Sequence, residues 1–163
     1  MDAPAFAALL LTNRARIQTS FPDRVQAVLT PAAALATVEG FMQDWRTGRF
    51  YVLGIWHRQT SEYLGDICLL PRPPVSGEIG YYLAAEAEGQ GYAREALEAM
   101  TSFGFQRLGL PSLAVRCFAD NKRGQAVARA IGFQEEATPK KSFWFGSPHT
   151  PANIVRFTLF RSK

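Results

Sequence analysis

Residues 78–97 read EIGYYLAAEAEGQGYAREAL. The extended stretch 78–83 leads into a loop with two glycines, Gly89 and Gly91, and a helix opens at Tyr92. The first N–H groups of a helix have no partner inside it, and the peptide dipole there favours negative charge. Gly89 and Gly91 carry no side chain, so an anion can come close to the backbone. Together these features can hold a pyrophosphate. The stretch is not a P-loop, which needs GxxxxGK followed by Ser or Thr. Nor is it the GxGxxG dinucleotide fingerprint, because Arg94 occupies the third glycine position. Taken alone, GxG also fits a plain strand-to-helix turn.

On either side of it, apolar spacing lays out the other elements. Residues 4–18 read as one helix, with Pro4 in its first turn. Ser20, Phe21, Pro22 and Asp23 break the chain. A second helix opens with Thr30 as N-cap and Pro31 at the first helical position. Leu35, Val38, Phe41, Met42 and Trp45 are its apolar positions, and Gly48 ends it. Residues 50–56 and 63–70 read as a hairpin, and Pro71, Arg72, Pro73 and Pro74 as a loop. The helix at 92–108 lines one face with Ala93, Ala96, Leu97, Met100, Phe103 and Gly104, and Gly109 ends it. Residues 113–118 form a strand and 121–131 a helix, with Ala126, Val127, Ala130 and Ile131 inward and Gly132 as the cap. Further strands are expected at 142–145 and 154–160. This order gives a mixed α/β sandwich with a parallel crossover through the helix at 92–108.

A chain of 163 residues fits one domain, 1–163, and can bury a real core. Its 47% hydrophobic and 20% charged residues exclude disorder and collagen-like repeats. No apolar run reaches the ~18 residues of a membrane span, and Asn13, Arg14 and Arg16 interrupt the first apolar stretch. A cytoplasmic location without membrane contact is expected. Cys68 and Cys117 lie in apolar strand runs and read as buried, reduced thiols. No Cys/His cluster is present, so no metal is expected. A net charge of +4 suits an anionic ligand. Lys140 and Lys141 with Phe143 and Trp144 are too short a basic patch for direct nucleic-acid binding.

The same stretch resembles the GCN5-related N-acetyltransferase (GNAT) superfamily, and within it the RimJ/RimL-type, ribosomal-protein N-terminal acetyltransferase-like branch. The matching residues are Gly80-Tyr81-Tyr82-Leu83, then Gly89-Gln90-Gly91-Tyr92-Ala93-Arg94-Glu95-Ala96-Leu97. Asn121-Lys122-Arg123-Gly124 and Gly132-Phe133 stand where that branch carries Asn-x-x-Ser and Gly-Phe, and Leu64-Gly65-Asp66-Ile67 matches its third strand. The resemblance spans about residues 50–133. It implies an α/β (α+β) GNAT fold: a mixed, mostly antiparallel central sheet splayed at the acetyl-CoA site, with helices on both faces. The family's usual first strand has no counterpart ahead of the first helix in this sequence: either the chain lacks it or the true start lies upstream.

The resemblance further implies that pantetheine lies along the backbone of Tyr82, Leu83 and Ala84. It assigns the pyrophosphate to backbone N–H groups of Gly89, Gln90, Gly91, Tyr92, Ala93 and Arg94. Asn121 matches the asparagine that supports the pantetheine arm, though it also reads as a plain N-cap. Arg123 can reach coenzyme A phosphates or simply be solvated. Several positions depart from the pattern. Glu88 replaces a Gln or Arg, the branch tryptophan is missing, Gly124 replaces the serine, and Ala128 replaces a tyrosine acid used by many members. The implied reaction is direct attack of a primary amine on the thioester of acetyl-CoA. The Leu83 N–H is expected to stabilise the oxyanion and Glu78 to act as general base through water. Asp66 and Glu62 are weaker candidates for the base; His57, at a hairpin end, has no visible partner, and His149, in a Pro-flanked loop, is expected only to line the acceptor mouth. The acceptor is a peptide N-terminus, a ribosomal protein or a small molecule, and a homodimer is compatible with the sequence. The competing reading is an acyl-CoA-binding protein without transferase activity.

Overall fold

The computed structural model describes residues 2–72, 74, 76–137 and 153–161. Four helices come first: α1 (Ala3–Thr12), α2 (Arg14–Ile17), α3 (Pro22–Gln26) and α4 (Pro31–Thr47). Strands β1 (Tyr51–Trp56), β2 (Tyr63–Arg72) and β3 (Ser76–Leu83) follow, then a 3-10 turn at Ala85–Ala87. Helix α5 (Tyr92–Ser102) runs on into a π turn at Phe103–Arg107. Strand β4 (Ser112–Phe118), helix α6 (Lys122–Ala130), and strands β5 (Gln134–Glu135) and β6 (Ile154–Phe160) complete the order. The six strands form one sheet in the order β1-β2-β3-β4-β6-β5. Strands β3 and β4 pair in parallel, joined by the expected crossover through α5. The β4–β6 and β5–β6 pairs are antiparallel.

The caps explain several boundaries. The Thr30 hydroxyl accepts from the Ala33 N–H at 3.1 Å, Pro31 occupies the first turn of α4, and Gly48 closes that helix in the left-handed conformation (φ 69°). Asn121 caps α6 by accepting from the Gly124 N–H at 2.9 Å. Gly132 has φ 96° just past the end of α6.

Four expectations are corrected. The helix at 4–18 is two helices, α1 and α2, broken at Asn13. The Asn13 side chain donates to the Leu9 carbonyl (3.0 Å) and accepts from the Ala85 N–H (3.0 Å), so a partner distant in sequence holds the break. Strand β2 continues through Pro71 and Arg72. A proline at the last residues of a strand removes no interior ladder bond. In α4, Leu35, Met42 and Trp45 are exposed and the buried residues are Ala34 and Val38, so the inward stripe is narrower than the apolar spacing. In α6, Ala126 and Ala130 are exposed while Gln125 and Ala128 are buried. The Gln125 amide donates to the carbonyls of Phe118 (3.2 Å) and Ala119 (2.9 Å), which draws a polar residue to the inner face. The strand expected at 142–145 lies outside the described residues.

The chain forms two compact units, one of residues 1–68 and 81–92, the other of residues 69–80 and 93–163. The first is built on Phe6, Leu9, Leu10, Ile17, Val25 and Val38, packed with Tyr63 and Tyr82. The second buries Leu69, Ile79, Leu97, Met100, Leu113 and Phe157. Within it, a Cβ at Gly77 would meet Leu69 and Leu110 at 2.8 Å, and one at Gly104 would meet Leu113 at 3.0 Å. Both glycines therefore mark close packing. No helix among the described residues is long and apolar enough to cross a membrane.

Candidate functional site

The loop after β3 has the geometry its glycines require. Gly89 and Gly91 adopt φ 77° and 90°, a region costly to side-chain-bearing residues. A Cβ built on either would meet nothing within 4 Å, so open space lies in front of the backbone at both positions. Helix α5 starts immediately afterwards at Tyr92, and its first N–H groups have no intrahelical acceptor. The Gln90 side chain donates to the Glu86 carbonyl at 2.8 Å, and the Tyr92 hydroxyl reaches Gln90 Oε1 at 3.4 Å. The His57 ring stands edge-on to the Tyr92 ring, with centroids 5.8 Å apart. Gln90 is thus committed to shaping the loop.

Glu88 is the departure that most threatened an anion site, and the fold neutralises it. Its carboxylate is ion-paired with the Arg16 guanidinium from α2. The Arg94 side chain pairs with Glu98 at 2.9 Å, one turn along the exposed face of α5. The Arg94 side chain is thereby turned along the helix and away from its start. Arg123 is exposed in the first turn of α6. Asn121 is exposed, and its carbonyl oxygen is used by the cap.

The end of β3 is set from its β2 side. The Ala84 N–H donates to the Leu64 carbonyl at 2.8 Å, and the Ala84 carbonyl accepts from the Ala87 N–H at 3.1 Å. Backbone groups alternate sides along a strand. With Ala84 turned to β2, Tyr82 shares its direction and Leu83 points its N–H to the opposite edge. The Tyr82 side chain is buried, and its hydroxyl donates to the Asp66 carboxylate.

Glu78 lies earlier on β3, where the strand is paired with β4. The register sets Gly77, Glu78 and Ile79 against Leu113, Ala114 and Val115. The Glu78 carboxylate is 3% exposed, with Oε2 3.0 Å from Arg116 and 4.0 Å from Arg72. Its Oε1 is buried without a hydrogen bond among the described residues. Burial raises its pKa, and Arg116, Arg72 and Arg156 oppose that rise. Sequence reasoning missed this cluster. Arg116 and Arg156 face each other across β4 and β6, and Glu136 accepts from both Arg156 and Thr158. Two arginines at facing strand positions could have signalled it, had the pairing register been known.

The remaining candidates divide plainly. Asp66 is fully buried, and Glu62 is exposed in the turn before β2. The His57 Nδ1 lies 2.9 Å from the Thr60 hydroxyl in that same turn. Ala128 is buried, so the face of α6 that carries a tyrosine in many family members is closed here. Cys68 and Cys117 are free and buried, and burial pushes the Cys117 thiol up to about 11. His149, Lys140 and Lys141 lie outside the described residues. No group of three or more His, Cys, Asp or Glu among the described residues can hold a metal ion.

Comparison with known proteins places this arrangement in a family. YdaF of Bacillus subtilis (strain 168), named for ribosomal N-acetylation, is 27% identical over 168 residues, covering 98% of this chain and 86% of that protein. The ribosomal-protein-serine acetyltransferase of Escherichia coli (strain K12) is 26% identical, covering 90% and 81%. Among solved structures, a ribosomal-protein α-N-acetyltransferase, RimL, in complex with coenzyme A, superposes with a TM-score of 0.79. It is 24% identical and covers 97% of this chain and 88% of its own. The model of the acetyltransferase (GNAT) domain matches residues 1–134, and with that match this chain belongs to the GCN5-related N-acetyltransferase family of acetyltransferases.

Proposed function

We propose that this acetyltransferase takes acetyl-CoA as its donor and a primary amine as its acceptor, a protein N-terminal α-amine before a small-molecule amine. One observation carries the donor assignment. Gly89 and Gly91 both take positive φ with open space before them, directly at the start of an eleven-residue helix. A pyrophosphate fits that backbone, held by N–H groups from Gly89 through Arg94 and by the helix dipole. The names of the relatives, which refer to ribosomal-protein acetylation, support the acceptor class. An acceptor of that class favours the cytoplasm as the site of action.

When bound, acetyl-CoA supplies the activated acyl carbonyl. The chain's own residues do the rest. Leu83 turns its N–H away from β2 and is the proposed oxyanion donor. Tyr82 and Ala84 direct theirs to β2, and their carbonyls face Gly65 and the Ala87 N–H, so their proposed contribution to the pantetheine arm is through packing contacts. Glu78 is the proposed base. Its Oε1 has no hydrogen bond among the described residues, and burial raises its pKa towards the working range of a general base. An α-amine, with pKa ~8, needs far less help than a lysine amine at ~10.4. This favours an N-terminal acceptor at a site whose proposed base, Glu78, is partly neutralised by arginines. Asn121 and Arg123 are proposed to support the cofactor arm and its phosphates from the start of α6.

The test has two stages. Acetyl-CoA at about 100 times its dissociation constant should stabilise the protein by ~2.7 kcal/mol, and no thermal shift would sink the donor assignment. Release of free thiol is then followed with N-terminal peptides, lysine-bearing peptides and small polyamines. Turnover confined to small amines would overturn the N-terminal acceptor.

A further inference from the structure

Asp66 is the one fully buried carboxylate among the described residues, and the proposed chemistry does not use it directly. It sits on β2 with no solvent exposure. The Tyr82 hydroxyl donates to its Oδ2, and Arg24 Nε from α3 lies 3.8 Å from the same oxygen. Its Oδ1 is buried without a hydrogen bond among the described residues. An ion pair in such a place contributes little net stability, because desolvation offsets the attraction. An apolar side chain would fill the space at lower cost. The group therefore calls for a reason other than stability.

The reason lies in what Asp66 fixes. Arg24 is pinned from its other side by the Phe41 ring at 4.2 Å and the Phe50 ring at 5.5 Å. Tyr82 is pinned by the edge of Phe21, with centroids 5.2 Å apart. Phe41, Arg24, Asp66 and Tyr82 thus form a chain from α4 through α3 and β2 to the end of β3. Gly65, next to Asp66, presses on the same spot. A Cβ there would overlap the Tyr82 carbonyl and stand 2.9 Å from Leu83 Cα. One residue further, Ala84 is bonded to Leu64, and Ala85 to Asn13. The segment from Tyr82 to Ala85 is held by β2 at Tyr82 and Ala84 and by the break between α1 and α2 at Ala85. The Leu83 N–H is the group left pointing the other way.

We infer that Asp66 is a positioning residue for acyl transfer: by anchoring the Tyr82 hydroxyl against Arg24, it fixes the end of β3 and sets the aim of the Leu83 N–H before the acyl donor arrives. The inference rests on the reading of Leu83 as oxyanion donor. Such a donor must sit within hydrogen-bond distance of where the oxyanion forms, and a site of this kind tolerates about 0.5 Å of error. A strand end held by one backbone bond would not meet that demand. A strand end tied through a side-chain carboxylate, a close glycine contact and an aromatic edge does.

Asp66→Asn and Tyr82→Phe test it, since each keeps the shape of its residue. Acetyl-CoA affinity, measured by direct titration, should stay within about threefold of wild type in both. The kcat should fall by about tenfold or more, a fraction of the loss from removing an oxyanion donor outright. Gly65→Ala should show the same split through its push on the Tyr82 carbonyl. Unchanged kcat in a folded Tyr82→Phe protein overturns the inference. So does a kcat loss that vanishes when the assay is run well below the melting temperature of the variant, because that loss is stability alone. If Asp66→Asn does not fold, Tyr82→Phe decides the question. A wild-type protein that binds no acetyl-CoA overturns the underlying reading and this inference together. An active wild type with unaltered variants overturns this inference only.

Discussion

Glu88, at the mouth of the glycine loop, is ion-paired with Arg16 of α2. Both side chains are partly exposed, so the pair adds little to stability. Its effect is on the loop. A bare carboxylate beside a pyrophosphate repels it, and a neutralised one does not.

Arg16→Ala should therefore weaken acetyl-CoA binding by roughly three- to tenfold, and more at low salt than at 0.5 M. Glu88→Gln should bind at least as tightly as wild type. The double variant should bind as Glu88→Gln does, since nothing remains to neutralise. Titration of the three proteins at two ionic strengths checks this. Equal affinity in Arg16→Ala and wild type at low salt would disprove the role.

The glycines carry a steeper prediction. Gly91 has φ 90° with open space beyond its Cα. Gly91→Glu strains the backbone and places a carboxylate where the phosphates are proposed to sit. Binding of acetyl-CoA should fall by about 100-fold or more, while stability falls only by the cost of the strained φ, about 1–2 kcal/mol. Isothermal titration and thermal denaturation separate the two effects. Retained binding would mean the pyrophosphate lies elsewhere.

What the sequence made legible were features with local causes. Thr30, Pro31 and Gly48 bound α4 because caps act within a turn of their own position. Strand β4 and the inward face of α5 follow from periodicity, and Leu97, Met100 and Gly104 are buried as expected. The features it hid have partners far along the chain. Asn13 breaks a helix because Ala85 needs an acceptor. Asp66 was legible only as one carboxylate among several, since Arg24 and Tyr82 reach it from other elements. The same holds for Glu78, whose arginines come from β2 and β4. The geometry of the glycine loop could be read from sequence because it lies in the loop's own backbone. The surroundings of the proposed catalytic side chains could not, because they are tertiary.

Asn121 separates a cap from a cofactor contact. Its carbonyl oxygen accepts from Gly124. Asn121→Ala should cost about 1 kcal/mol of stability through the lost cap. Asn121→Ser keeps a capping oxygen and should restore most of that stability. If the amide also supports the cofactor arm, Asn121→Ser should still raise KM for acetyl-CoA by a few fold. Denaturant unfolding and steady-state kinetics on both variants give the answer. A serine variant normal in both would leave Asn121 a cap and nothing more.

The pH dependence of stability provides a last test, centred on Asp66. Burial raises its pKa, and this outweighs the opposing influence of Arg24 and the Tyr82 hydrogen bond. The charged and titratable groups around it are Arg24 on α3, Tyr63 on β2 and Tyr82 on β3. A raised pKa means the folded protein binds the proton more tightly than the unfolded chain does. Stability from this group is then fully present below the unfolded value of ~3.9 and is lost as pH rises through the folded value. Glu78, also raised by burial, contributes in the same direction. Asp66→Asn removes the first contribution and leaves the second. Its melting temperature should fall less steeply than that of wild type as pH is raised above 4, and the two curves should run parallel once Asp66 has ionised in the folded protein. Parallel curves from pH 4 upward would show that Asp66 ionises at the same pH in both states. In that event Arg24 holds the carboxylate charged in the folded protein.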